Sequence, residues 1–171
     1  IWRQVLFLLL FYSGLMAILP MLRPWLVDQG FDMGPIGILS GLLGTGTAFV
    51  SSLASGFIVR RIGIYRARKY FATLYFLILT QVEVSTLLVS IGVMLLWAAY
   101  GSATVVVYVS SMETLRAGRE GTDFTVQIVI THFCGMGMAI LGGVVADHTG
   151  YSGLFALAVL LALISLIYIH L

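Results

Sequence analysis

The sequence predicts an all-α membrane protein with six spanning helices, and three observations carry the prediction. Hydrophobic residues make up 60% of the 171-residue chain and charged ones only 9%, with a mean hydropathy of +1.07, so a soluble domain would lack the polar groups to cover its surface. Apolar runs of a length suited to a hydrocarbon core of about 30 Å alternate with short polar breaks. Basic residues gather in every second break, as the positive-inside rule requires of a polytopic chain.

The spans are expected at about 2–24, 36–59, 67–82, 86–112, 123–146 and 152–170. Only Arg3 lies ahead of the first apolar run, and Val5 to Met21 runs on through Pro20 to Trp25 without a small-residue cleavage site. It therefore reads as a spanning helix of a chain that has been cut, not as a signal peptide. The second carries Ser40, Gly44, Thr47, Ser51 and Ser55 on one face, beside Gly37, Gly41 and Ala48. Such small residues suit close helix approach as well as a cavity wall. Tyr70 to Ser111 is nearly unbroken apolar sequence; Gln81 to Ser85 offers a turn between spans three and four, and Ser90 to Gly92 is the alternative.

Span four sets Trp97, Tyr100, Thr104, Tyr108 and Ser111 within about 80° of helical arc. A hydroxyl on a bulky ring in mid-membrane needs both a partner and space, which a ligand-facing wall supplies. Span five opens at Thr122 or Asp123, either of which suits an N-cap because its short side-chain oxygen accepts from the free N–H groups of the first turn. Asp123, Gln127 and Thr131 form one slowly drifting stripe with His132 flanking it. Polar groups at that depth are functional candidates by default, and interhelical hydrogen bonding is the competing explanation. Span six, from Leu154 to Ile169, is almost entirely aliphatic.

Eight of the nine basic residues fall on one side: Arg3, Arg60, Arg61, Arg66, Arg68, Lys69, Arg116 and Arg119, against Arg23 alone on the other. Both ends are accordingly expected in the cytoplasm, with Asp28, Asp32, Glu83, Asp147 and His148 outside. In the loop after span four, Glu113 with Arg116, Arg116 with Glu120 and Arg119 with Asp123 stand at ion-pair spacing. Cys134 is the sole cysteine, and His132, His148 and His170 lie on separate segments without ligand spacing, so neither a disulfide framework nor a metal site or other cofactor is expected.

The chain also repeats itself. Gly56-Phe57-Ile58-Val59-Arg60-Arg61-Ile62-Gly63 ends span two, and Gly143-Val144-Val145-Ala146-Asp147-His148-Thr149-Gly150 ends span five on the opposite side. Three helices followed by three in inverted orientation is a secondary-transporter pattern. On these residues the chain resembles the major facilitator superfamily, in which two six-helix halves enclose a central cavity. Gly56 to Arg68 is similar to that family's loop signature, Gly-xxx-Asp-Arg-x-Gly-Arg-Arg, with Arg60 where the signature has Asp. Gly121 to Gln127 with Asp147 to Tyr151, and Leu26 to Phe31 with Ile36-Gly37, resemble segments of permeases related to the muropeptide permease and to inner-membrane siderophore permeases.

The resemblance implies the C-terminal half of a twelve-helix fold, with the first, second, fourth and fifth spans lining the cavity. It implies a secondary-active permease in a bacterial inner membrane, working by alternating access on a siderophore- or muropeptide-like solute. Its partners would be that solute, membrane lipid and an N-terminal six-helix half, and nucleic acid is not expected. Tyr100, Thr104, Tyr108, Gln127, Thr131, Thr47 and Ser51 would face the solute, and His132, whose imidazole titrates near neutrality, would couple protons. Gly56, Arg60, Gly63, Arg66, Glu113, Arg116, Arg119 and Asp123 would form the cytoplasmic loops or gate. The alternatives are a complete six-helix protein, acting as a homodimeric transporter or a scaffold, and an intramembrane enzyme using His132 with Asp123. About 13 Å of helix rise between those two residues weighs against the enzyme.

Overall fold

The computed structural model describes residues 2–80 and 86–170, and every regular element among them is a helix. The turn expected at Gln81 to Ser85, with Glu83, lies outside the described residues; Ser90 to Gly92, the alternative, lies inside a helix.

Helix α1 (Trp2–Ile18) tightens into a 3₁₀ turn at Leu19–Met21, where Pro20 withholds an N–H, and continues as α2 (Leu22–Asp28). The chain turns at Gly30, with the Phe31 N–H donating to the Leu26 carbonyl at 3.1 Å. The next rod comprises α3 (Met33–Ile36), a π-helical stretch at Gly37–Leu43 and α4 (Gly44–Ile62). Within it the buried Ser40 hydroxyl donates to the Ile36 carbonyl at 3.0 Å. Helix α5 (Ile64–Thr80) follows after the single residue Gly63, and α6 (Thr86–Glu113) ends in the charged loop before α7 (Glu120–His170).

At 51 residues α7 would be about 76 Å long if straight, more than twice a hydrocarbon core. It folds back instead at Gly150, whose φ of 75° and ψ of 179° are non-helical and strained for any side-chain-bearing residue. Contacts along α1 and α2 show the reversal. Cys134 meets Leu9, Gly142 meets Ala17 and Tyr151 meets Asp28, so residues 120–149 run parallel to α1. Phe155 then packs on Trp25, and Ala158 lies back beside Gly14.

The other rods are oriented the same way. Arg68 meets Gln4 and Tyr75 meets Gly14, so α5 is parallel to α1. Thr47 meets Met94 and Ser51 meets Ala98, so α4 is parallel to α6, and Arg68 on Ser110 sets α6 against α5. Helix α1 is the core of the bundle: Phe7, Leu8, Phe11, Leu15 and Ile18 are all buried. Among the described residues, four segments, Gln4–Asp28, Met33–Ile62, Val89–Glu113 and Glu120–Ile169, are long and apolar enough to cross a membrane. The most apolar stretch of the first is 56% buried by protein, whereas that of Met33–Ile62 is 17% and that of Glu120–Ile169 is 22% buried. Both of the last two therefore present broad apolar faces outward, Phe49 and Phe57 on α4 and Phe133 and Met136 on α7 among them.

Two local expectations are corrected. Helix α7 begins at Glu120, so neither Thr122 nor Asp123 is its N-cap; the Asp123 N–H already bonds the Arg119 carbonyl at 2.9 Å. The loop ion pair that forms is Arg116 with Asp123, seven residues apart, in place of the three at helical spacing. The segment between α6 and α7 is not helical, so helical spacing does not govern which charges meet there.

Candidate functional site

Polar side chains of α1, α6 and α7 converge on a small cavity of about 40 Å³, lined by Tyr12, Tyr100, Thr104, Tyr108, Thr131 and His132 together with Val107 and Ile128. That volume suffices for a water-sized group. Counted from Gln4, Glu113 and Glu120, the residues Tyr12, Thr104 and Thr131 stand about 12, 14 and 17 Å along their helices, distances close to half the thickness of a hydrocarbon core.

The hydrogen bonds determine what each group offers. Thr104 donates to the Tyr100 carbonyl at 2.8 Å, so the Tyr12 hydroxyl, 3.4 Å from Thr104 Oγ1, is the donor between those two. Thr131, 3% exposed, donates to the Gln127 carbonyl at 2.8 Å and keeps its oxygen lone pairs for a ligand. His132 is exposed, with Nδ1 2.8 Å from the Ile128 carbonyl. A carbonyl can only accept, so in the neutral ring Nδ1 carries the hydrogen and Nε2 is the proton acceptor. Aromatic contacts hold the walls: Tyr12 packs on Tyr100 with centroids 5.9 Å apart, Trp97 meets Tyr100 edge-on at 5.9 Å, and Tyr108 leans on Phe124 at 6.1 Å.

Of the residues expected to face a solute, Tyr100, Thr104, Tyr108, Thr131 and His132 thus share one cavity. Gln127 does not line it. Its amide oxygen accepts from Thr114 at 3.2 Å, and it lines a separate pocket of about 360 Å³ with Gln4, Thr122 and Asp123. Thr47 and Ser51 turn into the α4–α6 seam, where they reach the Met94 and Ala98 carbonyls at 3.4 and 2.8 Å. There they act as interhelical hydrogen bonds. Tyr12 is a polar lining residue absent from the expected set, although a phenol midway along an apolar run marks it as it marks Tyr100.

The loop residues divide in the same way. Arg116 donates from Nε and Nη2 to the two oxygens of Asp123 at 2.7 and 2.6 Å, a bidentate geometry that raises the guanidinium's pKa further above its ordinary value. Glu120 accepts from the Gly118 N–H at 2.9 Å, and Glu113 and Arg119 are exposed. Arg60 and Arg66 are exposed either side of Gly63, while Gly56 is half-buried. Arg68 instead turns inward, donating to Ser110 at 2.7 Å and Gln4 at 3.2 Å with its guanidinium 4.3 Å above the Phe7 ring. No model of a known protein family matches the sequence.

Proposed function

We propose that the chain is one six-helix half of a secondary-active permease of the major facilitator type. It carries a small organic solute of the siderophore or muropeptide kind across a bacterial inner membrane by alternating access, and it is not an enzyme. The observation that carries the reading is the convergence of Tyr12, Tyr100, Thr104, Tyr108, Thr131 and His132, from three helices, on one mid-length cavity. The cavity itself admits only a water-sized group, so its ring faces and hydroxyls would supply one wall to a solute with both apolar and hydrogen-bonding parts, the second half supplying the rest. The imidazole Nε2 beside them gives a proton a place to load, so solute and proton share one site.

The inverted repeat draws support from the backbone. The four glycines with positive φ among the described residues are Gly30, Gly63, Gly118 and Gly150. Gly30 and Gly63 follow the first and second rods, 33 positions apart; Gly118 and Gly150 follow the fourth and fifth, 32 positions apart. Two groups of three helices with matching turns and alternating direction are what a duplicated three-helix unit yields. In this reading both ends lie in the cytoplasm, and the exposed faces of α4 and α7 meet the second half of the transporter.

The test is reconstitution. Liposomes holding the intact two-half permease should accumulate solute under an inward proton gradient, while liposomes holding the 171-residue chain alone should not. Uptake by the chain alone, with a dimer in cross-linking, would replace this reading with the homodimeric one. Absence of solute movement in either preparation, across siderophore and muropeptide substrates, would count against transport.

A further inference from the structure

A groove of about 480 Å³ opens between α4, α5 and α6, away from the cavity just described, and its walls are almost wholly apolar, with Ala54, Ile58, Leu74, Ile78, Leu95 and Ala99 among them. Ile58, Leu74 and Leu95 are 41–50% exposed, so the groove faces outward along its length. Counted from the α4–α5 turn at Gly63, it reaches from about 7 Å at Ile58 to about 22 Å at Ile78.

Basic residues gather around the α4–α5 turn at its end, although Arg68 turns inward to Ser110 and Gln4 and lies within electrostatic reach of Glu113. Arg60, Arg61, Arg66, Arg68 and Lys69 lie within ten positions, and no carboxylate occurs between Asp32 and Glu83. Arg61 continues the groove-lining face of α4, since Ala54, Ile58 and Arg61 are spaced at i, i+4 and i+7. Arg66 and Tyr70 continue that of α5, because Arg66, Tyr70 and Leu74 are spaced at i, i+4 and i+8. Arg61 and Arg66 are exposed, and the ion pair formed among the described residues, Arg116 with Asp123, involves neither. Tyr65 and Tyr70 are exposed beside them, the placement of rings at headgroup level.

We propose that this groove is a binding site for an anionic phospholipid, with the headgroup phosphate held between Arg61 and Arg66 and one acyl chain lying along α4 and α5 toward Leu95. A free phosphate would use the cations but leave the groove empty, and a zwitterionic lipid would fill the groove but bring a cation of its own to an already positive mouth. The two halves of the site therefore select a molecule that is anionic at one end and aliphatic for about 20 Å beyond. The proposal needs only that the apolar rods lie in a bilayer, and it is independent of what the central cavity carries.

The experiment is native mass spectrometry of the detergent-purified chain exposed to phosphatidylglycerol and phosphatidylcholine of identical acyl chains, with soluble glycerol phosphate as competitor. Phosphatidylglycerol should be retained about tenfold over phosphatidylcholine, and a large excess of glycerol phosphate should not displace it. Arg61→Gln and Arg66→Gln should each reduce that preference about fivefold, the weight of one basic residue at an anionic surface, whereas Arg23→Gln at the opposite end leaves it unchanged. Ala54→Trp, which fills the groove, should lower retention of both lipids. Equal retention of the two lipids, or displacement by glycerol phosphate, overturns the proposal and requires no variant to fold. Retention indifferent to Ala54→Trp overturns it too, because the cations would then act without the groove.

Discussion

Arg116 grips both carboxylate oxygens of Asp123 across seven residues, tying the end of α6 to the first turn of α7 through a loop with no regular structure of its own. The Arg116 N–H adds a third contact, to Asp123 Oδ2 at 3.2 Å. Such an exposed pair contributes little to global stability. It fixes the path of the loop instead.

Asp123→Asn should therefore loosen the loop without melting the bundle. In a Cys134→Ser background, a thiol placed at Ala117 should react with a soluble maleimide several-fold faster in the Asp123→Asn variant, while the thermal midpoint shifts by no more than about 2 °C. An unchanged labelling rate would show that the pair is incidental.

Positions flanking the second rod, before Met33 and just after the Gly63 turn, should report opposite sides of the membrane. Asp32→Cys and Arg66→Cys, both at exposed positions, should label from different faces of sealed vesicles. Labelling of both from one face would remove the spanning model for Met33–Ile62.

Helix approach should be intolerant at Gly101 and tolerant at Gly46. A Cβ at Gly101 would strike the Ala48 carbonyl and the Ser51 hydroxyl, whereas one at Gly46 meets nothing within 4 Å. Gly101→Ala should cost about 1–3 kcal/mol in thermal or denaturant unfolding. Gly46→Ala should be neutral or slightly stabilising. Equal effects at the two sites would mean that the α4–α6 seam is looser than the structure has it.

His132→Gln separates coupling from binding. On the proposed permease reading, it should abolish proton-driven accumulation by the two-half protein while leaving downhill exchange of bound solute largely intact, because glutamine keeps polarity and approximate bulk but cannot carry a proton. Accumulation with wild-type pH dependence in this variant would return His132 to a packing role.

What the sequence made legible follows from what side-chain chemistry can and cannot reveal. Tyr100, Thr104 and Tyr108 were readable because three polar groups at helical spacing on an otherwise aliphatic helix have few uses, and the same holds for Thr131 beside His132. Thr47 and Ser51 were less so, since a small hydroxyl on a small-residue face satisfies a neighbouring carbonyl as well as it satisfies a solute; both bond carbonyls of α6 and also line an open pocket of about 450 Å³. Gln127 lay on the expected stripe, yet its long side chain swings to Thr114 and leaves the cavity to Thr131. The Arg116–Asp123 pair was hidden because its geometry depends on how an irregular loop folds, and no periodicity encodes that.

The turns at Gly63 and Gly150 contain no slack: one residue, in a backbone conformation favourable mainly to glycine, stands between helices that run back against each other. Neither helix of such a pair can slide lengthwise past its neighbour without breaking that residue's geometry. The freedom left to them is pivoting about the turn, like two boards sharing a hinge pin. Displacement at the charged loop beside Arg116 would then arrive at the far end beside Tyr151 as a tilt of the whole 120–149 rod, with the Tyr12 to His132 cavity lying partway along the lever.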